Sequence, residues 1–414
     1  GQHRYDLDIV LAGVGVPMAA DTLSSGKALG GSETCAVQVS ETLARMGHRV
    51  TLFCNTENSH EGNDVTYLPM GWAVAGPNQF PKGYFDYVRS NLHDVSIVMR
   101  IPSLFQFEVA SKVNLLWQHD LATRTGPSQF QPFAWNIDRI LAISQFMKKQ
   151  YLQVHAGENP SANMNRLFHV TRNGIDLAVI DAAEQDRPRN RFKLMFTARP
   201  ERGLDILLKA VWPEILKREP RAKLYISRYQ DPNTLPLYED LMRLAASYGD
   251  SVINLGHLGK AALYRHYKEA RAFVYPSVFE ETSNLSSVEF GACGGVFIGP
   301  WKAALPETCE GNHILIRDNG LVGREGDPVD EGLKPVTQEF IRSFIEQTIS
   351  IMHDDDRFEG LAANGRKLAE RRTWNAVAED WVDLSHRIIE AKSSDSRRLT
   401  KHFLVTSDVV AAQR

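Results

Sequence analysis

Short apolar runs alternate with amphipathic segments along almost the whole chain. Asp8–Val14, Arg49–Cys54, Val95–Arg100, Val113–Trp117 and Arg139–Ile143 are continuously hydrophobic rather than alternating. That is the pattern of parallel strands covered on both faces. Between the first two, Ser32–Met46 carries Val37, Val39, Leu43 and Met46 at helical spacing, with Ser32 placed to cap its start and Gly47 its end. Strand, helix, strand predicts a βαβ unit, and its repetition predicts a parallel sheet.

A polar stretch with Pro188, Asp176–Arg191, reads as a linker, and the alternation then restarts. Strands are predicted at Phe192–Thr197, Ala222–Ile226, Ser251–Leu255, Ala272–Tyr275 and Val296–Ile298, with helices at Gly203–Lys217, Leu237–Ser247, Lys260–Ala270 and Ser286–Cys293. The fold class is therefore α/β, with two doubly wound, Rossmann-like domains and a cleft between the carboxyl ends of their sheets. The boundaries are 1–176 for the first domain, 190–375 for the second, and 376–392 for a helix crossing back to the first. Residues 393–414, weakly periodic, read as a loosely held extension.

Composition narrows the function. A length of 414 residues suits two cores, and 43% hydrophobic with 23% charged residues suits a water-exposed globular chain. A formal net charge of -3 argues against nucleic-acid binding. The four cysteines, Cys35, Cys54, Cys293 and Cys309, form no C-x-x-C pair and lie near no histidine at zinc-ligand spacing, so no metal is expected. With no leader-like or bilayer-length apolar run, the expected location is cytoplasmic. Lys148-Lys149 leaves peripheral membrane contact open, although a solvated face is the plainer reading.

The most informative stretch is Phe273–Gly294, in which a buried strand meets Pro276, then an acidic polar loop, then a helix. Small polar residues at a helix start leave backbone N–H groups free for an anion. Glu281 and Glu289 stand eight apart and would bracket a ligand whose phosphates rest there. By spacing alone, a capped helix with two exposed acids is the plainer explanation of the pair.

In context the stretch resembles the E-x7-E region of the GT-B retaining glycosyltransferases, the family 4 group. Glu281, Glu289 and Ala292-Cys293-Gly294 match in order, and the spacing selects Glu281 over the adjacent Glu280. The loop reads Glu-Thr-Ser-Asn-Leu where the family commonly has Glu-Gly-Phe-Gly-Leu. Asn173-Gly174-Ile175-Asp176 matches the family's closing turn of the first domain, and Gly30-Gly31-Ser32-Glu33 its Gly-Gly loop. Arg199–Gly203 resembles its Arg…Lys-Gly phosphate turn, with Arg202 in the place of the Lys. His119, ending Val113–His119, stands where the family places a histidine facing the donor sugar.

The resemblance implies a retaining transfer of a hexosyl or pentosyl unit from a nucleotide-diphosphate sugar, UDP- or GDP-linked, to an acceptor hydroxyl, with no cofactor and no metal. It implies catalytic roles for Glu281, His119 and Arg202. Donor binding would fall to Glu289, Arg199, Ser283, Asn284, Leu285, Gly30 and Gly31. The variable loops of the first domain, Val16–Leu29 and Met70–Pro81, would face the acceptor, be it a glycan, a lipid-linked molecule or another compound; Asp120 and Arg124, beside His119, are open candidates that nothing in the sequence establishes. Two other readings stay open: a sugar-nucleotide epimerase or hydrolase on the same fold, and a silent nucleotide-sugar-binding subunit. Gly13-Val-Gly15-Val-Pro17 lacks the third glycine of a dinucleotide fingerprint, and no Gly-x-x-x-x-Gly-Lys loop is present.

Overall fold

Burial on both faces makes a strand of each apolar run. In β1 (Asp8–Ala12) the last four residues are at most 2% exposed. After α1 (Gly31–Arg45) come β2 (Arg49–Cys54), β3 (His60–Gly62), β4 (Val65–Pro69) and the hairpin of β5 (Trp72–Ala75) and β6 (Asn78–Pro81). Next are α2 (Lys82–Ser90), β7 (His93–Met99), β8 (Ser111–Gln118), β9 (Arg139–Ala142), α3 (Gln145–Ala156), α4 (Ala162–Leu167) and β10 (Phe168–Val170). One eight-stranded sheet results, in the order β10-β9-β8-β7-β1-β2-β4-β3, antiparallel only at β3. The molecule is seen in a computed structural model that describes residues 6–13, 31–75, 78–123, 128–157, 159–227, 235–317 and 336–411.

The second series begins with α5 (Leu177–Ala182), β11 (Asn190–Phe196) and α6 (Leu204–Ile206), which runs through a π turn at Leu207–Val211 into α7 (Trp212–Arg218). Pro213 lacks the N–H that regular α-helical bonding needs at this point. Then follow β12 (Lys223–Ile226), α8 (Leu235–Ser247), β13 (Val252–Asn254), α9 (Lys260–Glu269), β14 (Ala270–Val274), α10 (Leu285–Ala292), β15 (Val296–Pro300), α11 (Leu305–Cys309) and β16 (Ile314–Ile316). The sheet order is β13-β12-β11-β14-β15-β16, parallel throughout. The chain builds outward from β11 to β13 and then returns to β14 on the opposite side, so a crevice opens beyond the carboxyl ends of β11 and β14.

Two apolar cores hold the sheets. The second includes Phe344 and Ile351 of α12 (Gln338–His353) and Phe358 of α13 (Asp355–Glu370). The final helix, α14 (Trp374–Ala411), places Trp374, Trp381, Leu384 and Ile388 in the first core. Trp374 Nε1 donates to Gln38 Oε1 at 2.8 Å and Trp381 Nε1 to Thr171 Oγ1 at 2.8 Å. The turn Asn173–Asp176 lies where the chain crosses between the halves. Ile175 bridges Thr373, and a Cβ on Gly174 would come within 2.6 Å of the Trp374 nitrogen, so the close approach requires glycine.

Several sequence expectations are corrected. Ser32 lies inside α1, which is already helical at Gly31. The stretch 176–191 is not all linker, because Asp176 caps α5 and Asn190 opens β11. The loop Met70–Pro81 contains a hairpin. β3, β4, β10 and β16 were not predicted from the sequence. Residues 393–411 are helical as part of α14, each further residue extending hydrogen bonding already nucleated.

Candidate functional site

Two chain segments leave the carboxyl ends of β11 and β14 and meet in the crevice. After β11, Arg199 leads into a tight 3-10 turn, Pro200–Arg202, closed by Gly203 at φ 105°. A Cβ on Gly203 would lie 2.7 Å from the carbonyl oxygen of Pro276, just past β14. Only glycine allows both the backbone angle and this approach. Gly203→Ala is therefore expected to cost about 1–3 kcal/mol, seen as a lower melting temperature in calorimetry. An unchanged transition would overturn this account of the turn.

The Arg202 guanidinium lies 4.2 Å from the centroid of the Phe279 ring, itself 41% exposed, and Nη1 is 3.8 Å from Glu281 Oε2. Glu281 is 4% exposed and takes a hydrogen bond from the Tyr275 hydroxyl. Burial raises its carboxyl above the usual range, while Arg202, Tyr275 and Asn284 each pull it back. Of the two adjacent acids, Glu281 is the one held in this cluster. Glu280 has a buried Oε2 that meets no hydrogen-bond donor among the described residues. Arg199 pairs with Glu201.

α10 begins at Leu285 and not at Ser286. Asn284, at φ 71°, caps it by accepting the Ser287 N–H at 2.9 Å, and Ser287 Oγ donates back to the Asn284 carbonyl at 3.0 Å. The first N–H groups of a helix have no partner within it, so Leu285 and Ser286 present theirs at the helix end. The Ser283 carbonyl accepts from Thr308 Oγ1 at 2.6 Å, and Leu285 packs on both apolar cores. One turn further on, Glu289 takes the Tyr264 hydroxyl and lies 3.7 Å from Lys260 Nζ.

The first sheet contributes from the other side. His119 follows β8, is buried, and has a ring centroid 4.5 Å from that of Trp117. Burial, helped by the Arg100 charge, pushes its pKa down to about 3, so the ring is neutral at physiological pH. Its Nε2 is buried without a partner among the described residues. A buried ring nitrogen of this kind calls for a hydrogen-bonding ligand or water. Asp120 is paired with Arg100 at 2.7 Å. A Cβ on Gly31 would meet no described atom within 4 Å. Cys35 of α1 feels the charges of Lys260 and Glu289, which puts the start of α1 beside the second domain. Gly30, Arg124 and Val16–Leu29 lie outside the described residues.

The structure thus brings Arg202, Glu281 and the Ser283–Leu285 helix start together, with Glu289 one turn along. Sequence reasoning missed Tyr264, Tyr275, Lys260 and Phe279. The tyrosines look like ordinary core aromatics, and only the acid each one meets gives it a place in the site. Among the described residues no group of three His, Cys, Asp or Glu side chains could hold a metal ion.

Residues 191–331 match the family model described as glycosyl transferases group 1. No curated protein matches the chain. Among solved structures, a glycosyltransferase from Rickettsia africae superposes with a TM-score of 0.67 at 16% identity, covering 93% of this chain and 99% of that one. Sucrose-phosphate synthase from Thermosynechococcus elongatus gives 0.64 at 17% identity, covering 93% and 100%. HepE of Anabaena, in complex with UDP and glucose, gives 0.63 at 14% identity, covering 94% and 100%. The fold is GT-B, with two Rossmann-like domains facing a central cleft. The stretch matched to a glycosyltransferase family is the one carrying Arg199–Gly203 and Glu281–Glu289.

Proposed function

We propose that the protein is a retaining glycosyltransferase, similar to family 4, moving a sugar from a UDP- or GDP-linked donor to an acceptor hydroxyl. The observation that carries this reading is the buried Glu281, held between Tyr275 and Arg202 at the amino end of α10. Residues 190–375 would bind the donor and residues 1–176 the acceptor. The donor's diphosphate would rest on Arg202, with Arg199 beside it, and on the N–H groups around Ser283–Leu285. Glu289 would accept from the ribose hydroxyls and Glu281 from a sugar hydroxyl. Neutral His119 would hydrogen-bond the sugar from the opposite domain, and the backbone at Gly30-Gly31 would close over the donor.

In the reaction the bond from the anomeric carbon to the departing phosphate oxygen breaks. The acceptor oxygen bonds to the same face of that carbon, and its proton passes to the departing phosphate. Arg202 and the α10 dipole stabilise the charge that develops, which makes the reaction metal-independent in this reading. A cytoplasmic location belongs to the same proposal; among the described residues no helix is long and apolar enough to cross a membrane.

The test is thermal stabilisation by a panel of UDP-, GDP-, ADP- and dTDP-sugars with and without EDTA. The best donor is then offered to candidate acceptors, and the anomeric configuration of the product is read by NMR. Transfer with retention is expected. Donor consumption that needs no acceptor would point to a hydrolase or epimerase, and an inverted product would refute retention. Glu289→Gln is expected to weaken binding of the stabilising nucleotide by about 10-fold or more in calorimetric titration, as loss of a hydrogen bond to a charged group does. Equal affinity would remove Glu289 from the donor site.

A further inference from the structure

Helix α11, five residues long, is fastened to both domains. On one side it supports the acidic loop. The Ala304 N–H donates to the Glu281 carbonyl at 3.0 Å, and Thr308 Oγ1 donates to the Ser283 carbonyl at 2.6 Å. On the other side Glu307 reaches the first domain. Its carboxylate accepts the N–H groups of Gln145 at 2.7 Å and Phe146 at 3.0 Å, the first two residues of α3, and pairs with Arg172.

α3 in turn holds the chain just beyond His119. Gln150 exchanges two hydrogen bonds with the backbone of Ala122, at 2.8 and 2.9 Å, and the Tyr151 hydroxyl donates to the Asp120 carbonyl at 2.9 Å. A continuous path therefore runs from His119 through α3, Glu307 and α11 to Glu281. A carboxylate suits its central point, because it answers both the positive end of α3 and a guanidinium.

We propose that Glu307 is a positioning residue that holds the two halves of the cleft in register, so that His119 stays opposite the Glu281 loop. Movement of α11 relative to α3 displaces the Glu281 and Ser283 backbone directly. The catalytic consequence rests on the function proposed above; the contact itself does not.

The test uses the full chain carrying Glu307→Ala, with Glu307→Gln as the conservative variant that keeps one acceptor oxygen. Hydrogen exchange at the Gln145 and Phe146 amides reports the contact without any need for turnover. It should accelerate about tenfold or more in Glu307→Ala while α12 keeps its wild-type protection. In steady-state kinetics kcat should fall about 10- to 100-fold with the donor KM within about threefold, because misplacement across the cleft affects transfer more than donor binding. Glu307→Gln should recover part of the lost kcat.

Unchanged exchange, or unchanged kcat despite faster exchange, overturns the proposal. A general loss of protection that includes α12 assigns Glu307 a merely structural role and overturns it too. If the wild-type protein transfers no sugar from any donor, the functional reading has failed, and the exchange measurement still decides whether Glu307 joins the domains.

Discussion

Arg202→Ala is expected to lower kcat by about 10²- to 10³-fold, the usual cost of removing one preorganised donor from developing negative charge. The guanidinium is placed by three separate features: the left-handed Gly203 that ends its turn, the Phe279 ring beneath it, and Glu281 at 3.8 Å. In the proposed reaction a side chain restrained in this way needs little reorganisation as the diphosphate departs. Arg202→Lys should restore only part of the rate, since an ammonium lacks the planar fork that meets two phosphate oxygens. The pH profile gives a second readout. Arg202 lowers the proton affinity of Glu281, so in Arg202→Ala the acid limb of kcat/KM should move to higher pH. Wild-type kcat in the alanine variant, or an acid limb that stays in place, would refute the assignment.

The two sheets were legible because parallel strands covered on both faces are continuously apolar, as in β1, β2 and β8. β3, β10 and β16 have three residues each, too few for any periodicity to register. The sequence showed the Arg202-Gly203 turn but not its cause, which is the Pro276 carbonyl beneath it, more than seventy residues away along the chain. Asn284 read as loop because a residue with positive φ leaves no mark on hydrophobic patterning, yet it sets the first turn of α10. Glu307 was invisible for a different reason. Its partners Gln145 and Phe146 are separated from it by 162 and 161 residues, and no local pattern encodes a helix capped from another domain.

The adjacent acids show where spacing and structure add to each other. Spacing to Glu289 selected Glu281, and the structure gives Glu281 the hydroxyl of Tyr275 and the charge of Arg202. Glu280 carries a buried oxygen without a donor among the described residues. Its neighbour Phe279 is the exposed aromatic on which Arg202 stacks. The loop that carries both acids therefore also supplies the support for the Arg202 guanidinium.

Glu281→Gln is expected to stabilise the fold while removing most of the activity. Because burial raises the carboxyl's pKa, the folded chain holds this proton more tightly than the unfolded chain does. The stability linked to that proton is fully present below the ordinary carboxylate value and is lost as pH rises through the folded-state value. Above its folded-state value the ionised Glu281 is therefore a net cost, even with Arg202 and Tyr275 beside it, and a glutamine of the same shape removes that cost. Its melting temperature should exceed wild type at pH 8, by ~2–4 °C for each kcal/mol recovered, and the difference should close as pH falls into the carboxylate range. In the proposed function Glu281 holds a sugar hydroxyl, and the same substitution replaces this charged acceptor by a neutral one, so kcat should fall about 10- to 100-fold. Wild-type kcat/KM should lose activity on the acid side at a pH above the ordinary carboxylate range, and this limb should be absent in the variant. A lower melting temperature at pH 8 would mean that Glu281 is a structural ion-pair partner whose charge the fold requires. Higher stability together with lost turnover is the signature of a carboxylate kept buried for its chemistry.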